Sequence, residues 1–391
     1  MALIDNIINV FKYECLKVVK DRLYLTTLLV LPFVTILFFT IIFNSGLIEK
    51  LPIAVIDHDN SHLSRQVISM VSASPAIEIS EYATSIDEAK AMMRRGRVYA
   101  ILLLPEGLEQ NTYGSKPSSI ECYVSSTNLS ASGIIEAAMQ STLQTFSSSI
   151  SISTLLAEGL TMQESLLEIM PIAINAHIIS NPTINYGYYL SPFFMFTSLA
   201  IFTILVSIYA IGRELRYSTS REWLCHAKYN VTAATIGKLL PTTVIMFAYS
   251  QVILFIIFEI MGLKCHGSYI LLALGTLLFI LAYQAVAIVI ISITSNMRLS
   301  LSLGGGYAVM AFTFSGITFP TGSMFTIADS LSNIFPLTWF GEIFIDQAMR
   351  GSAPTYSIPA FIYLAIFLFL PAVVTRRLRG ISLIPKYWGR E

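Results

Sequence analysis

LYLTTLLVLPFVTILFFTIIF, residues Leu23–Phe43, contains no Asp, Glu, Lys or Arg over 21 positions. A helix of about 20 apolar residues crosses the roughly 30 Å hydrocarbon core of a bilayer. It also satisfies its own backbone polar groups there, which water cannot do. Five more charge-free runs follow: Tyr188–Ile211, Leu239–Phe258, Tyr269–Thr294, Leu299–Phe319 and Tyr356–Val374. The composition, 54% hydrophobic and 12% charged, lies far from that of soluble domains. These runs predict an α-helical integral membrane protein with six transmembrane helices. Between the first and second runs lies a polar block, residues 44–187, predicted as an inserted extracytoplasmic α/β domain. Residues 188–391 form a five-span membrane domain.

The formal net charge of zero hides an asymmetry. With the amino terminus inside, the inner segments hold Lys12, Lys17, Lys20, Arg22, Arg213, Arg216, Arg221, Lys228, Lys238, Arg298, Arg376, Arg377, Arg379, Lys386 and Arg390. Of the remaining basic residues, only Lys264 and Arg350 fall outside the long polar block. Short loops rich in Lys and Arg face the cytoplasm, whereas long domains translocate regardless of charge. Both termini are therefore expected in the cytoplasm of a multi-pass protein of the cell (inner or plasma) membrane. The first run is too long for a signal-peptide core, and its exit Asn44-Ser45-Gly46 lacks a cleavage pattern. In residues 1–22, Ile4, Ile7, Ile8, Phe11, Cys15, Val18 and Val19 recur at helical spacing against Asp5, Lys12, Lys17 and Lys20. That pattern fits a helix lying on the inner bilayer surface or one packed on other protein.

Within the polar block, Ile53–Ile56 and Val98–Leu104 read as buried strands, with Glu78–Tyr82 and Ile120–Val124 as weaker ones. Ser61–Ser74 and Ser85–Gly96 read as helices opening on a capping Ser, the second with Glu88 at the capping-box spacing. Asn128 to about Met170 reads as long helices. Asp57-His58-Asp59-Asn60 with His62 is either a metal cluster or a polar turn made by side-chain to backbone hydrogen bonds; the turn reading is preferred and no metal is assigned. Cys122 and Cys265 fall on the outer side, where a bridge between them is open.

No phosphate loop, zinc helix or nucleophile elbow occurs, so no enzyme activity and no cofactor bound by this chain are expected. The inner loop, residues 212–238, is dense in charge. Arg213, Glu214, Arg221 and Glu222 can pair with each other and with a partner, while Trp223 and Leu224 offer an apolar anchor. It reads as a docking element, against the alternative of a solvated positive-inside loop. Within the spans, Gln251 and Gln284 favour protein or a cavity over lipid, and Gly304-Gly305-Gly306 permits close helix approach or a local break. Glu259 either attracts cationic cargo or snorkels to the interface. Residues 319–350 are apolar but too interrupted to span, and read as an outer re-entrant helical hairpin or a surface loop.

The chain resembles the permease subunits of type-2 ATP-binding cassette (ABC) exporters, in particular the subgroup with a large outer domain after the first span. The resemblance rests on Val55-Ile56-Asp57-x-Asp59-x-Ser61, Arg94-Arg95-Gly96-x-Val98-Tyr99-Ala100 and Leu104-Pro105 in the outer block. It continues through Arg213-Glu214, Arg221-Glu222-Trp223-Leu224 and Gly237-Lys238-Leu239-Leu240-Pro241, then Ser315-Gly316-Ile317-x-Phe319-Pro320-x-x-x-Met324 and Phe335-Pro336-Leu337-Thr338-Trp339-Phe340. At Tyr217-Ser218-Thr219-Ser220 the chain departs from the family's usual Glu-Arg-Gly-Thr. The resemblance implies a separate ABC ATP-binding subunit carrying ATP and Mg, and a second copy or homologous permease subunit. It implies export of hydrophobic or amphipathic small molecules (drug-, lipid- or polyketide-like), with a periplasmic adaptor where the cell has two membranes; no nucleic acid is involved. It gives Arg213, Glu214, Arg221, Glu222, Trp223 and Leu224 the ATPase-coupling role. An outer gate would use Phe319, Pro320, Met324, Pro336, Trp339 and Phe340, and a pathway Gln251, Glu259, Gln284, Gly304, Gly305 and Gly306. The competing reading is a membrane receptor or scaffold whose outer domain binds a ligand or envelope partner without transport.

Overall fold

The computed structural model describes residues 2–43, 49–114, 116–169 and 185–389. The Asn44-Ser45-Gly46 exit and the end of the helical stretch at Met170 lie outside the described residues. The chain divides into two compact units, Leu47–His177 and the remainder.

The helical unit begins with α1 (Ala2–Lys20). Asn6, Val10, Glu14 and Val18 recur every four residues and are buried, one stripe of a 3.6-residue helix. The alternatives left open for residues 1–22 meet in this helix: one stripe packs on protein, while Ile4, Ile8, Leu16 and Val19 stay exposed. Asp21 caps α2 (Arg22–Leu25) by accepting from the backbone N–H groups of Leu23 and Tyr24. A π-helical turn, Thr26–Val30, leads into α3 (Leu31–Phe43). Pro32 lacks the N–H that would close the ordinary turn there, so the turn widens. Tyr249 donates its hydroxyl to the Leu29 carbonyl at 2.6 Å within this turn.

The second unit is α/β. In chain order it runs β1 (Leu51–Asp57), α4 (His62–Ser72), β2 (Ile77–Tyr82), α5 (Ile86–Arg94), β3 (Ala100–Leu104), α6 (Leu108–Tyr113), β4 (Glu121–Val124), α7 (Leu129–Ala157) and α8 (Met162–Ile169). The four-stranded sheet has the order β2-β1-β3-β4, with β1 parallel to both neighbours and β4 antiparallel to β3. Side chains on a strand alternate between faces. Ile53 and Val55 accordingly pack with Leu63, Val67, Ala131 and Ile135 of α4 and α7, while Ala54 and Ile56 join Ala89 of α5 on the other face. Ser61 and Ser85 cap α4 and α5 as expected, accepting from Ser64 N at 3.0 Å and Glu88 N at 3.3 Å. The Glu88 carboxylate in turn accepts from Thr84 N at 2.9 Å.

The Asp57 to His62 segment is a polar turn. Asp57 accepts from Asp59 N, Asn60 N and the Ser64 hydroxyl, and Asp59 caps α6 at Glu109 N. Burial opposes the Asp59 charge, yet the Ser61 hydroxyl and the α6 amides hold its carboxyl below the usual range. Both carboxylates are thus committed to the backbone. All four cysteines, Cys122 and Cys265 included, are free thiols.

The helical unit resumes with α9 (Tyr186–Arg216), α10 (Ser220–His226), α11 (Val231–Phe255), α12 (Tyr269–Thr294) and α13 (Met297–Phe314), then α14 (Thr326–Ser332), α15 (Pro336–Phe344), α16 (Pro354–Phe367) and α17 (Leu370–Leu383). Among the described residues, five helical stretches are long and apolar enough to cross a membrane: Arg22–Phe43, Gly187–Arg216, Val231–Ile260, Tyr269–Thr294 and Pro354–Leu383. The run Leu299–Phe319 differs from expectation. Its helix, α13, has 18 residues, carries Arg298 in its first turn and ends before Gly316, whose φ of +83° leaves helical space. The run Tyr356–Val374 is two helices, parted at Leu368 and Phe369 just before Pro371, which cannot donate into the preceding turn.

Candidate functional site: a charge-locked elbow

Residues 212–238 are mostly helix. Gly212–Arg216 is the end of α9, and Val231–Lys238 opens α11, so only α10 and its two turns stand between. The stretch Tyr217-Ser218-Thr219-Ser220 makes the first turn, with Ser218 at φ +61°; Lys228 and Tyr229, at +50° and +62°, make the second. Non-glycine residues rarely adopt this left-handed region. Thr219 donates its amide to the Glu214 carbonyl at 3.0 Å and its hydroxyl to the Glu214 carboxylate.

Four charged side chains meet beneath this elbow. Lys238 Nζ lies 2.5 Å from Glu14 Oε2 and 2.8 Å from Glu214 Oε1. Lys17 Nζ reaches the same Glu214 oxygen at 2.7 Å. Glu14, Glu214 and Lys238 are buried, so each charge has an opposite partner within the distance of a charge-assisted hydrogen bond. The Trp223 ring centre lies 5.3 Å from Lys238 Nζ, and its indole N–H donates to the Ala234 carbonyl at 3.1 Å. A second pair sits beside the first. Arg213 contacts Asp21 at 3.0 Å, and Tyr209 donates to the same carboxylate at 2.8 Å. Burial works against the Asp21 charge, but Tyr209, the capped amides and Arg213 hold its carboxyl below the ordinary range.

This geometry corrects the docking element. Trp223 and Leu224 are 0% exposed; they are core, not a surface anchor, because α1 and α11 close over the apolar side of α10. Arg213 and Glu214 pair with α1, Asp21 and α11, not with each other. Arg221 is exposed but lies over the Trp388 ring at 5.4 Å, while Glu222 is exposed on α10 with its carboxylate near the Tyr13 phenol. Tyr13 of α1 stacks on His226 of α10 at 4.3 Å, and burial, reinforced by Glu214 and Glu222, pushes the Tyr13 phenol well up. Sequence reasoning missed Glu14 and Lys238 as partners. Their signal was a carboxylate inside an apolar four-residue stripe, and a lysine abutting a charge-free run.

At the opposite ends of these helices, the expected gate residues separate. Pro336, Trp339 and Phe340 are buried on α15, with Trp339 stacked on Tyr363 at 3.8 Å and donating to the Asn333 carbonyl at 3.1 Å. Phe340 meets Phe196 and Phe279 at 4.5 and 4.7 Å. Phe319 and Pro320 are exposed and Met324 half-buried, all on the preceding segment. Of the pathway residues, Gln284 accepts from Thr243 at 2.9 Å and Gln251 donates to Thr276 at 3.2 Å, so both tie α11 to α12. Gly304 allows α13 to approach α9: a Cβ there would lie 2.5 Å from Ile208 Cδ1. Gly305 is looser, Gly306 faces open space, and α13 runs through all three without a break. Glu259 is exposed in a π-helical turn, Ile256–Ile260. Among the described residues no group of His, Cys, Asp or Glu is placed to hold a metal.

Glu342 and Asp346 line a cavity of about 510 Å³ with Phe193, Thr321, Arg350 and Tyr356. Burial, then Asp346, pushes the Glu342 carboxyl up, with Arg350 opposing. A raised carboxyl means that ionisation costs stability, a cost present above the raised value and removed as pH falls below it. Glu342→Gln should therefore raise the thermal midpoint slightly at pH 8, with the gain vanishing near pH 4. Equal gains at both pH values in detergent melts would contradict this.

Helices of membrane-crossing length joined by an elbow of buried, paired charges define an integral membrane protein. The chain belongs to the ABC-2 family transporter proteins, whose family model matches residues 22–375. It is a membrane permease of an ABC transporter, the transport component that partners an ABC ATP-binding subunit. No curated protein matches the chain.

Proposed function

We propose that this permease exports hydrophobic or amphipathic small molecules, drug-, lipid- or polyketide-like, driven by ATP hydrolysed in the partner subunit. Two permease subunits, identical or homologous, flank the route. Arg22–Phe43, α9, α11, α12, α13 and the α16–α17 pair make six crossings, with both termini and the elbow in the cytoplasm. The α/β unit is extracytoplasmic, as in the exporter subgroup with a large domain after the first span, and α14–α15 form the outer hairpin of the gate. ATP and Mg act on the partner alone; a periplasmic adaptor joins where a second membrane exists.

The observation that carries this reading is the elbow. A short helix, α10, packs its Trp223 ring over the buried charge cluster that joins α1, α9 and α11 and stacks His226 on Tyr13 of α1, so a push on its outer face by a partner bears on all three. Closure of an ATPase pair would thereby shift the helices between two packings through contacts that differ in each. Arg221 and Glu222 supply the outward charges and Trp223 with Leu224 the rigid backing.

The test is copurification. Tagged wild-type chain should bring down an ABC ATPase from its native membranes and support ATP-dependent uptake of a hydrophobic dye into inverted vesicles. Glu222→Arg, at an exposed site, should keep the wild-type melting temperature but cut ATPase recovery about tenfold, or about 1.4 kcal/mol. Full recovery with the charge reversed would remove the docking role from this face.

A further inference from the structure

We infer that Lys238 is a positioning residue joining α1 to the elbow, so that displacement of α10 reaches the N-terminal helix as well as α11. This rests on the reading of α10 as the face that the ATPase pushes.

Replacing a buried ion pair by apolar residues of similar volume is often neutral or stabilising. Stability alone therefore does not call for Glu14, Lys17, Glu214 and Lys238 to share one buried site. What the four charges add is obligation. Lys238 Nζ is shared between Glu14 on α1, at 2.5 Å, and Glu214 on α9, at 2.8 Å. The Trp223 ring from α10 covers the same ammonium. If α10 moves, Trp223 moves with it; Lys238 cannot leave either carboxylate without stranding a buried charge.

The contact between α1 and α11 is also hard. A Cβ added at Gly237 would lie 2.6 Å from the Ile7 carbonyl oxygen and 2.8 Å from Val10 Cβ. The two helices touch at backbone distance, with no layer of flexible side chain between them to absorb a shift. Lys17 to Glu214, at 2.7 Å, makes a second tie between α1 and the elbow. Helix α1 is in this way a second output of the elbow.

The experiment is a pair of spin-label distances in the full complex with its ATPase, the other cysteines being replaced by serine. One pair joins native Cys225 on α10 to Ile293→Cys at the end of α12; the other joins Ile8→Cys on α1 to the same reference. All three positions are exposed or nearly so. With ATP and vanadate, both pairs should shift in the wild type by about 1–2 Å or more. In the variant Glu14→Leu, Glu214→Leu, Lys238→Met, the α10 pair should still shift and the α1 shift should fall to less than half, the remainder passing through the Gly237 contact and the Tyr13–His226 stack. Lys17, being partly exposed, reaches solvent there. If that variant fails to fold, Glu14→Gln, which keeps an acceptor for Lys238, should at least halve the α1 shift.

An α1 shift undiminished in these variants overturns the inference, as does a wild type in which α10 moves and α1 stays. No movement at either pair would overturn the transport reading itself, and the inference with it. The two failures are therefore told apart by the α10 pair.

Discussion

Lys238→Met alone should destabilise the protein by about 3–5 kcal/mol, the usual cost of removing one partner from a buried ion pair. The methionine fills much of the space, so the loss comes from charge: Glu14 and Glu214, both buried, are left with only Lys17 between them. Melting in detergent should show a large drop, and ATPase binding should fall with it because the elbow loosens. Adding Glu14→Gln and Glu214→Gln should recover most of the stability, since no uncompensated carboxylate remains. A single variant as stable as the wild type would mean that these carboxylates reach water.

Trp223→Ala should cost a similar amount, about 3–5 kcal/mol, typical of emptying a large buried aromatic site. It removes the packing of a fully buried side chain, the bond to the Ala234 carbonyl and the cover over Lys238. Trp223→Phe keeps a ring over the ammonium and loses one hydrogen bond, so a cost of about 1–3 kcal/mol is expected from the orphaned carbonyl and smaller ring. ATPase recovery should track stability across the two variants. Were Trp223→Ala to melt normally yet lose the ATPase, the indole would be a surface contact after all.

Much of the architecture is legible locally. Five of the six charge-free runs coincide with helical stretches of membrane-crossing length, because a bilayer imposes a length and forbids charge. The strands of the α/β unit and the Ser61 and Ser85 caps follow from alternation and from orphaned amides at helix starts. Pro32 and Pro371 give a widened turn and a split helix, where the runs alone read as continuous. The elbow is different. Glu214 meets Lys17 across 197 positions and Lys238 meets Glu14 across 224. Nothing within a window of sequence says that α1 folds over α10, so Trp223 and Leu224 read as free surface when they are interior. The surroundings of the expected gate residues are hidden for the same reason. Trp339 and Phe340 look available beside Phe319 and Pro320, but a helix start at Pro336 turns them into the core.

The two bends of the elbow run through Ser218, Lys228 and Tyr229 in left-handed backbone, at roughly 1–2 kcal/mol each for residues that carry a Cβ. Such a bend would relax if left alone. It is kept in shape from outside, by the ring of paired charges beneath it, which makes α10 resemble a cocked lever more than a hinge: its resting angle is a property of its neighbours, and whatever loosens them also releases the spring.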